Sequence, residues 1–403
     1  MPTNRRRLLT VLLLATAALG GCGGDRVTPP EGQPGPQPQP PPPPPPPPAQ
    51  PEWRDLGAIP GVSSGEAVVV SGSDVLVGTT DGVWRHPLAG SGAWTRSGLN
   101  GVHVQVLRDM PGAQSTVLAG ADPTGVAGAF PFYRSDDGGR NWTGSGEGLF
   151  WDLGQQYAPM FDLAVQPAES TGLQPVLYAN MSGVSIARSL DGGFTWSFVV
   201  GTVDAFGTPC HVHVPPWDRS SLYQGCEAPL DRAWVGRFDI STADSSILGS
   251  RTFLVGSDLD RGIGNRRPNG FASLASDSGT VYVGLEGGLI AVHGVNDFDW
   301  IWKGNESDGR AGAYTYVRAI WIDPADTTHL IFGGGLSAGD SARSGLHETR
   351  DRGHTITTPT APDSLSFATA AITAGTTTGP GGATFVVTAL IGDSVRVFVR
   401  DNQ

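Results

Sequence analysis

From residue 52 onward, apolar and polar positions alternate in short runs: VLVGTTDGVW, TVLAG, PVLYAN, TVYVGLEGGLIAV, HLIFGGG and TFVVTALIGDSVRVFV. A period of two sends successive side chains to opposite faces of a strand. Clusters of Gly, Ser, Asp and Pro separate the runs, and few stretches carry a helical period. Many short strands at regular spacing predict an all-β repeat fold.

One stretch sets the repeat. Residues 134–142 read RSDDGGRNW, residues 188–196 read RSLDGGFTW, and residues 348–356 read ETRDRGHTI. All fit Ser/Thr-x-Asp-x-Gly-x-x-aromatic or its apolar substitute. The first copy is Ser135, Asp137, Gly139 and Trp142; the second is Ser189, Asp191, Gly193 and Trp196; the third, degenerate, is Thr349, Asp351, Gly353 and Ile356. The final position beats through the chain at Trp53, Trp94, Trp142, Trp196, Phe253, Trp300 and Ile356. That interval, roughly 40–57 residues, suits four-stranded propeller blades. Each beat has a first strand ending near Pro (FDLAVQP, HVHVPP, VRAIWIDP), a second of the VLYAN type, a third running into the Asp turn, and a fourth led by the aromatic. Three strands are expected after Ile356 (365–373, 383–391 and 394–400), whereas EWRDLG has none before it. The N-terminal strand is therefore expected to complete the last blade and protect the sheet edges. The expectation is a seven-bladed β-propeller of four-stranded antiparallel blades over 52–403; the weakly marked Phe253 beat leaves six or eight blades open.

The turn residues have physical roles that need no substrate. Gly supplies the positive φ of a tight connection. Asp accepts hydrogen bonds from nearby backbone N–H groups, Ser and Thr do so more weakly, and Trp buries a large apolar area. RSDDGGRNW and RSLDGGFTW resemble the Asp-box, or BNR repeat, of certain β-propellers, a family that includes sialidases, xyloglucan-type glycoside hydrolases, sorting-receptor ectodomains and photosystem assembly factors. The resemblance implies that these turns lie at the blade periphery, away from the active face, and it does not carry a function. Sialidase-like members place an Arg in an Arg-Ile-Pro motif; the nearest stretch here, GAIPG, has Ala58 in its place.

The first fifty residues read differently. Arg5–Arg7 and the apolar run Leu8–Leu19 form a secretory signal, too short for a typical membrane span. The Leu-Gly-Gly-Cys that follows resembles the bacterial lipobox, which implies cleavage after residue 21 and lipidation of Cys22. Residues 22–51 form a linker with nine consecutive prolines, Pro40–Pro48. A chain of this kind favours polyproline II, and residues 29–51 would span roughly 70 Å. Removing residues 1–21 shifts the formal charge from −12 to −15, and Lys303 is the single lysine. Such an acidic domain is not expected to bind nucleic acid, nor anionic lipid directly. The expected product is an exported monomer, held to a membrane by its lipid and facing the periplasm or cell exterior.

Candidate chemistry is sparse. Cys210 and Cys226 flank HVHVPPWDRSSLYQG. If Val214 pairs with Leu222, antiparallel register sets Cys210 opposite Cys226, and export permits a disulfide. His211 and His213 share a strand face and could hold a metal, but no third ligand stands at metal-like spacing; they are read as ordinary strand histidines. No metal or cofactor is expected, and no catalytic residue is assigned. The long loops leading into first strands or joining second to third are the expected ligand face. They carry Trp151, Tyr157, Glu227, Asp231, Arg232, Asp260, Arg261, Arg266, Arg310, Tyr314 and Tyr316. The expected function is non-catalytic binding of a protein or glycan. The alternatives are an exo-acting glycoside hydrolase and an assembly factor for an envelope complex.

Overall fold

The structure, a computed structural model, describes residues 53–150, 157–166, 174–182, 185–200, 210–228, 232–256, 262–264, 266–304, 316–334, 346–357, 370–375, 384–391 and 394–401. Cys22 and the proline run lie outside the described residues, as do Trp151, Asp231, Asp260, Arg261, Arg310 and Tyr314. No helix among the described residues is long and apolar enough to cross a membrane.

The fold is a β-propeller of antiparallel sheets. β1 (Arg54–Ala58) comes first, followed by a sheet of β2 (Gly65–Ser71), β3 (Asp74–Thr79), β4 (Gly82–Pro87) and β5 (Thr95–Arg96). The next is β6 (His103–Met110), β7 (Ala113–Asp122), β8 (Phe132–Ser135) and β9 (Thr143–Ser145). Then come β10 (Met160–Gln166), β11 (Val176–Met181), β12 (Ile186–Ser189) and β13 (Ser197–Val200). These are followed by β14 (His211–His213), β15 (Ser221–Ala228), β16 (Arg232–Ile240) and β17 (Ile247–Gly256). After them come β18 (Pro268–Ala272), β19 (Val281–Leu285), β20 (Gly288–Gly294) and β21 (Asp297–Lys303). A shorter sheet holds β22 (Ala319–Ile322), β23 (Leu330–Gly333) and β24 (Leu346–Thr349). The closing sheet orders β1 beside β27 (Ser394–Asp401), then β26 (Thr384–Ile391) and β25 (Ala370–Gly375). The innermost strands touch in the order β2, β6, β10, β14, β18, β22, β25 and back to β2, which closes the ring.

The expectation of seven four-stranded blades is corrected: six blades have four strands each, and the β22–β24 sheet has three among the described residues. This is the sheet with the degenerate turn. Ile356 stands where Trp or Phe marks the outer strand in other sheets, and among the described residues the pairing there is a single bridge between Glu348 and Thr357. A smaller apolar residue anchors less of the outer strand than an indole does.

Second strands are buried almost throughout: β3, β11, β19 and β23 have at most one residue that is not. A sheet covered on both faces loses strict alternation and reads as a continuous apolar run, as in VLYAN. Outer strands such as β13 are exposed or half-buried. The core lies between neighbouring blades. Val68, Val75 and Trp84 pack with Val395, Val397 and Val399, and Leu118 and Phe132 pack with Met160, Leu177 and Trp196.

The recurring turn is built from its own side chains. Ser135 Oγ donates to Asp137 Oδ1 at 2.8 Å and accepts from the N–H of Gly139 at 2.7 Å. Asp137 Oδ1 also accepts from the N–H groups of Arg140 and Asn141. Ser189 with Asp191, and Thr349 with Asp351, repeat the pattern. Gly193 has φ +102°, and a Cβ there would lie 2.1 Å from the ring of Phe132. Only glycine satisfies both constraints. Trp142 Nε1 donates to the carbonyl of Ser97, in the preceding blade, at 2.7 Å, so the indole wedges two blades together.

Candidate functional site

Two concave regions stand out, both set by blade topology. The first is the central channel, a cavity of about 490 Å³ walled by β2, β6, β10, β14, β18 and the start of β22. Most wall residues are apolar, as innermost strands require. The exceptions include charged residues placed within apolar strands. Asp162 is the third residue of β10. Its Oδ1 accepts from Arg108 Nη2 at 2.7 Å and from its neighbour Leu163 N, and its Oδ2 faces His211 Nδ1 at 3.2 Å and Val212 N at 3.2 Å. Burial pushes the Asp162 carboxyl up, but Arg108, His211 and the backbone donor outweigh it, so the group lies below the usual carboxylate range. Arg108 is itself held by the carbonyls of Leu163 and Leu107.

His213 stacks parallel on Phe271 at 6.0 Å and places Nε2 2.7 Å from Ser273 Oγ. Removal from water pushes its imidazole down to about 4, so it is neutral at pH 7. Among the described residues, no group of three or more His, Cys, Asp or Glu is placed to hold a metal. Glycoside hydrolysis needs a carboxylic acid kept protonated to serve the leaving group. Asp162 is the opposite case, ionised and hydrogen-bonded on both oxygens.

The second region lies on the face formed by loops that join second to third strands and lead into first strands. Pro123–Phe130, between β7 and β8, and Tyr157, before β10, line a cavity of about 560 Å³. Tyr157 stacks on Phe150 with centroids 4.8 Å apart and meets Phe130 at 5.7 Å. Phe150 is 42% exposed. Small residues (Gly125, Ala127, Gly128, Ala129) make up much of the lining, so it offers apolar area with few polar side chains.

The residues singled out from sequence divide accordingly. Tyr157 lies in this aromatic groove. Arg266 is buried: it donates to the carbonyls of Ile263 and Gly304 and lies over the Trp300 ring at 5.2 Å, a packing role. Tyr316 bridges Glu286 and is half-buried. Glu227 and Arg232 sit at the paired ends of β15 and β16. Cys210 and Cys226 are bonded, with Cα atoms 4.5 Å apart.

The Arg108–Asp162–His211 cluster was missed as a unit. The available signal was a charge inside an apolar first strand, as in MFDLAVQ and HVQVLRDM.

No protein-family model matches the chain, and no curated protein sequence matches it. Solved structures do match. YCF48 from Cyanidioschyzon merolae has 14% identity and a TM-score of 0.52, covering 87% of this chain and 98% of its own. YCF48 bound to D1 peptide has 10% identity and a TM-score of 0.55, covering 88% and 98%. The extracellular domain of a two-component system protein from B. thetaiotaomicron, BT4673, has 8% identity and a TM-score of 0.54; the match covers 86% of this chain and 39% of that one. What the chain shares with them is the β-propeller fold.

Proposed function

We propose that this chain is an exported, lipid-anchored, non-catalytic propeller that binds a peptide segment of a protein partner on its aromatic loop face. The observation that carries the reading is the groove lined by Phe130, Tyr157 and small residues, with few polar side chains and with Phe150 stacked on Tyr157. An apolar peptide side chain is matched by that lining, whereas a sugar would need several polar partners for its hydroxyls. Rigid aromatics on scaffolded loops are frequent energetic centres of interfaces. A propeller of the same fold, YCF48, has been solved with a D1 peptide bound, which supports a peptide as the class of ligand. The test is a displayed peptide library, run beside a glycan array and a hydrolysis screen on residues 52–403. Selected peptides should lose about 30-fold in affinity on Tyr157→Ala, the hot-spot threshold of roughly 2 kcal/mol. Sugar release that depends on one channel carboxylate would sink the non-catalytic reading. The anchor is tested separately: Cys22→Ser should release the protein from the membrane fraction, and retention would refute lipidation.

A further inference from the structure

The channel contains polar groups that the propeller's own packing does not satisfy. Arg318, immediately before β22, is exposed in the cavity wall, and its guanidinium makes no hydrogen bond or ion pair among the described residues. Gln105, the third residue of β6, has its Oε1 shielded from water without a hydrogen-bond partner. His211, the first residue of β14, gives Nδ1 to Asp162. With Nδ1 engaged, Nε2 is the ring nitrogen left to meet a ligand. The wall thus holds an unpaired cation, Arg318, and one acceptor that lacks a donor, Gln105 Oε1, with His211 Nε2 beside them. A buried acceptor without a donor costs free energy, and a ligand group that supplies the donor gains from the difference.

We propose that the central channel binds a small hydroxy acid, its carboxylate on Arg318, one hydroxyl donating to Gln105 Oε1 and another hydrogen-bonding His211 Nε2. A guanidinium offers a planar fork that matches a carboxylate. The wall's acids leave room for the negative charge. Asp162 has both oxygens engaged and its charge offset by Arg108, and Asp109 stands further along β6, next to the strand's last residue. Hydroxyls, which can donate or accept, suit Gln105 Oε1 and His211 Nε2 better than an ammonium would, because Arg108 and Arg318 already place two cations in the wall. The volume of about 490 Å³ is in the range of small-molecule sites, roughly 300–1,000 Å³. The channel shares no lining residue with the groove at Phe130 and Tyr157, so the proposal goes beyond the peptide reading and stands apart from it.

The test is calorimetric titration of the full chain with gluconate and glycerate. Glucitol supplies hydroxyls without the acid, and acetate supplies the acid without hydroxyls, at matched ionic strength. Gluconate is expected to saturate and to bind at least about tenfold more tightly than either control, since each missing partner leaves a charged or buried group unanswered. Arg318→Gln should weaken gluconate by about ten- to hundredfold, and Arg318→Lys by less, with unchanged melting temperatures showing that both fold. Gln105→Leu should weaken gluconate relative to acetate. Absence of saturable heat with both hydroxy acids would overturn the proposal. So would equal gluconate affinity in a folded Arg318→Gln variant. Peptide binding measured on the same preparations separates a failure here from a failure of the groove.

Discussion

At the scale of single residues, Ser135 shows how little of the recurring turn depends on apolar burial. Its buried hydroxyl donates to Asp137 and accepts from Gly139 N, so one oxygen fixes both ends of the turn. Ser135→Ala leaves the Gly139 N–H without its partner. That should cost about 1–3 kcal/mol, read as a lower urea midpoint at unchanged slope. An unchanged midpoint would mean that the backbone geometry, with Gly139 at φ +81°, holds the turn unaided. Glu348 is a different case. His329 Nε2 lies 2.8 Å from its Oε1, and Arg400 donates to its Oε2 at 3.0 Å. Burial raises this carboxyl, but the His329 and Arg400 contacts prevail and hold it at about 2. The folded value lies below the unfolded value of about 4.3. The carboxylate therefore contributes stability that is full above about pH 5 and is lost as pH falls towards 2. Glu348→Gln removes one partner of a buried pair and should cost about 3 kcal/mol at pH 7. It should also flatten the loss of stability between pH 5 and pH 3, measured by denaturant midpoints; an equally steep loss in the variant would place the acid-sensitive group elsewhere.

Within the elements, what could be read from the chain depended on whether the information was local in sequence. The Cys210–Cys226 pairing follows from a constant index sum, and the observed register, His211 with Gly225 and His213 with Tyr223, has that sum. The bond closes a loop of 16 residues, a size for which the chain-entropy model assigns about 3 kcal/mol. In a Cys22→Ser background, Cys226→Ser should lower the thermal midpoint, and reductant should lower that of the parent but not of the variant. The arginine before the first two turns, Arg134 and Arg188, was not legible in its role. Arg134 donates to the carbonyl of Gly192 at 3.1 Å, and Arg188 to that of Asp244 at 3.3 Å, each in the next blade. Arg85 reaches the Gly138 carbonyl in the same way. The partner is a backbone oxygen more than fifty residues away, so no side-chain pattern marks it. Arg108, Asp162 and His211 were illegible as a cluster for the same reason, being 54 and 49 residues apart on three blades. Arg266 misled in the opposite sense. Charge in a Gly-rich loop suggests solvent, yet the guanidinium finds two carbonyls and the Trp300 face.

The whole molecule depends on one closure that joins distant parts of the chain. β1 pairs with β27, matching Arg54 to Val399 and Asp55 to Phe398, and Arg396 pairs with the Asp55 carboxylate. Trp53 then packs against Trp321, Ile331 and Leu346 of the neighbouring three-stranded sheet, under the guanidinium of Arg400 at 5.1 Å. The same arginine holds Glu348, so β27 ties β1 on one side and β24 on the other. Deleting residues 53–58 would leave the edge of β27 without its hydrogen-bond partners and empty the wedge between two blades. An open edge of eight residues is a template for pairing with another chain. The truncated protein should melt at a lower temperature and form dimers or larger species in light scattering, while the parent stays monomeric. A synthetic peptide of residues 52–60, added in excess, should restore the monomer, because it returns the missing strand rather than any general stabilisation. A monomeric truncation with an unchanged melting temperature would show that the remaining sheets hold the ring closed without β1.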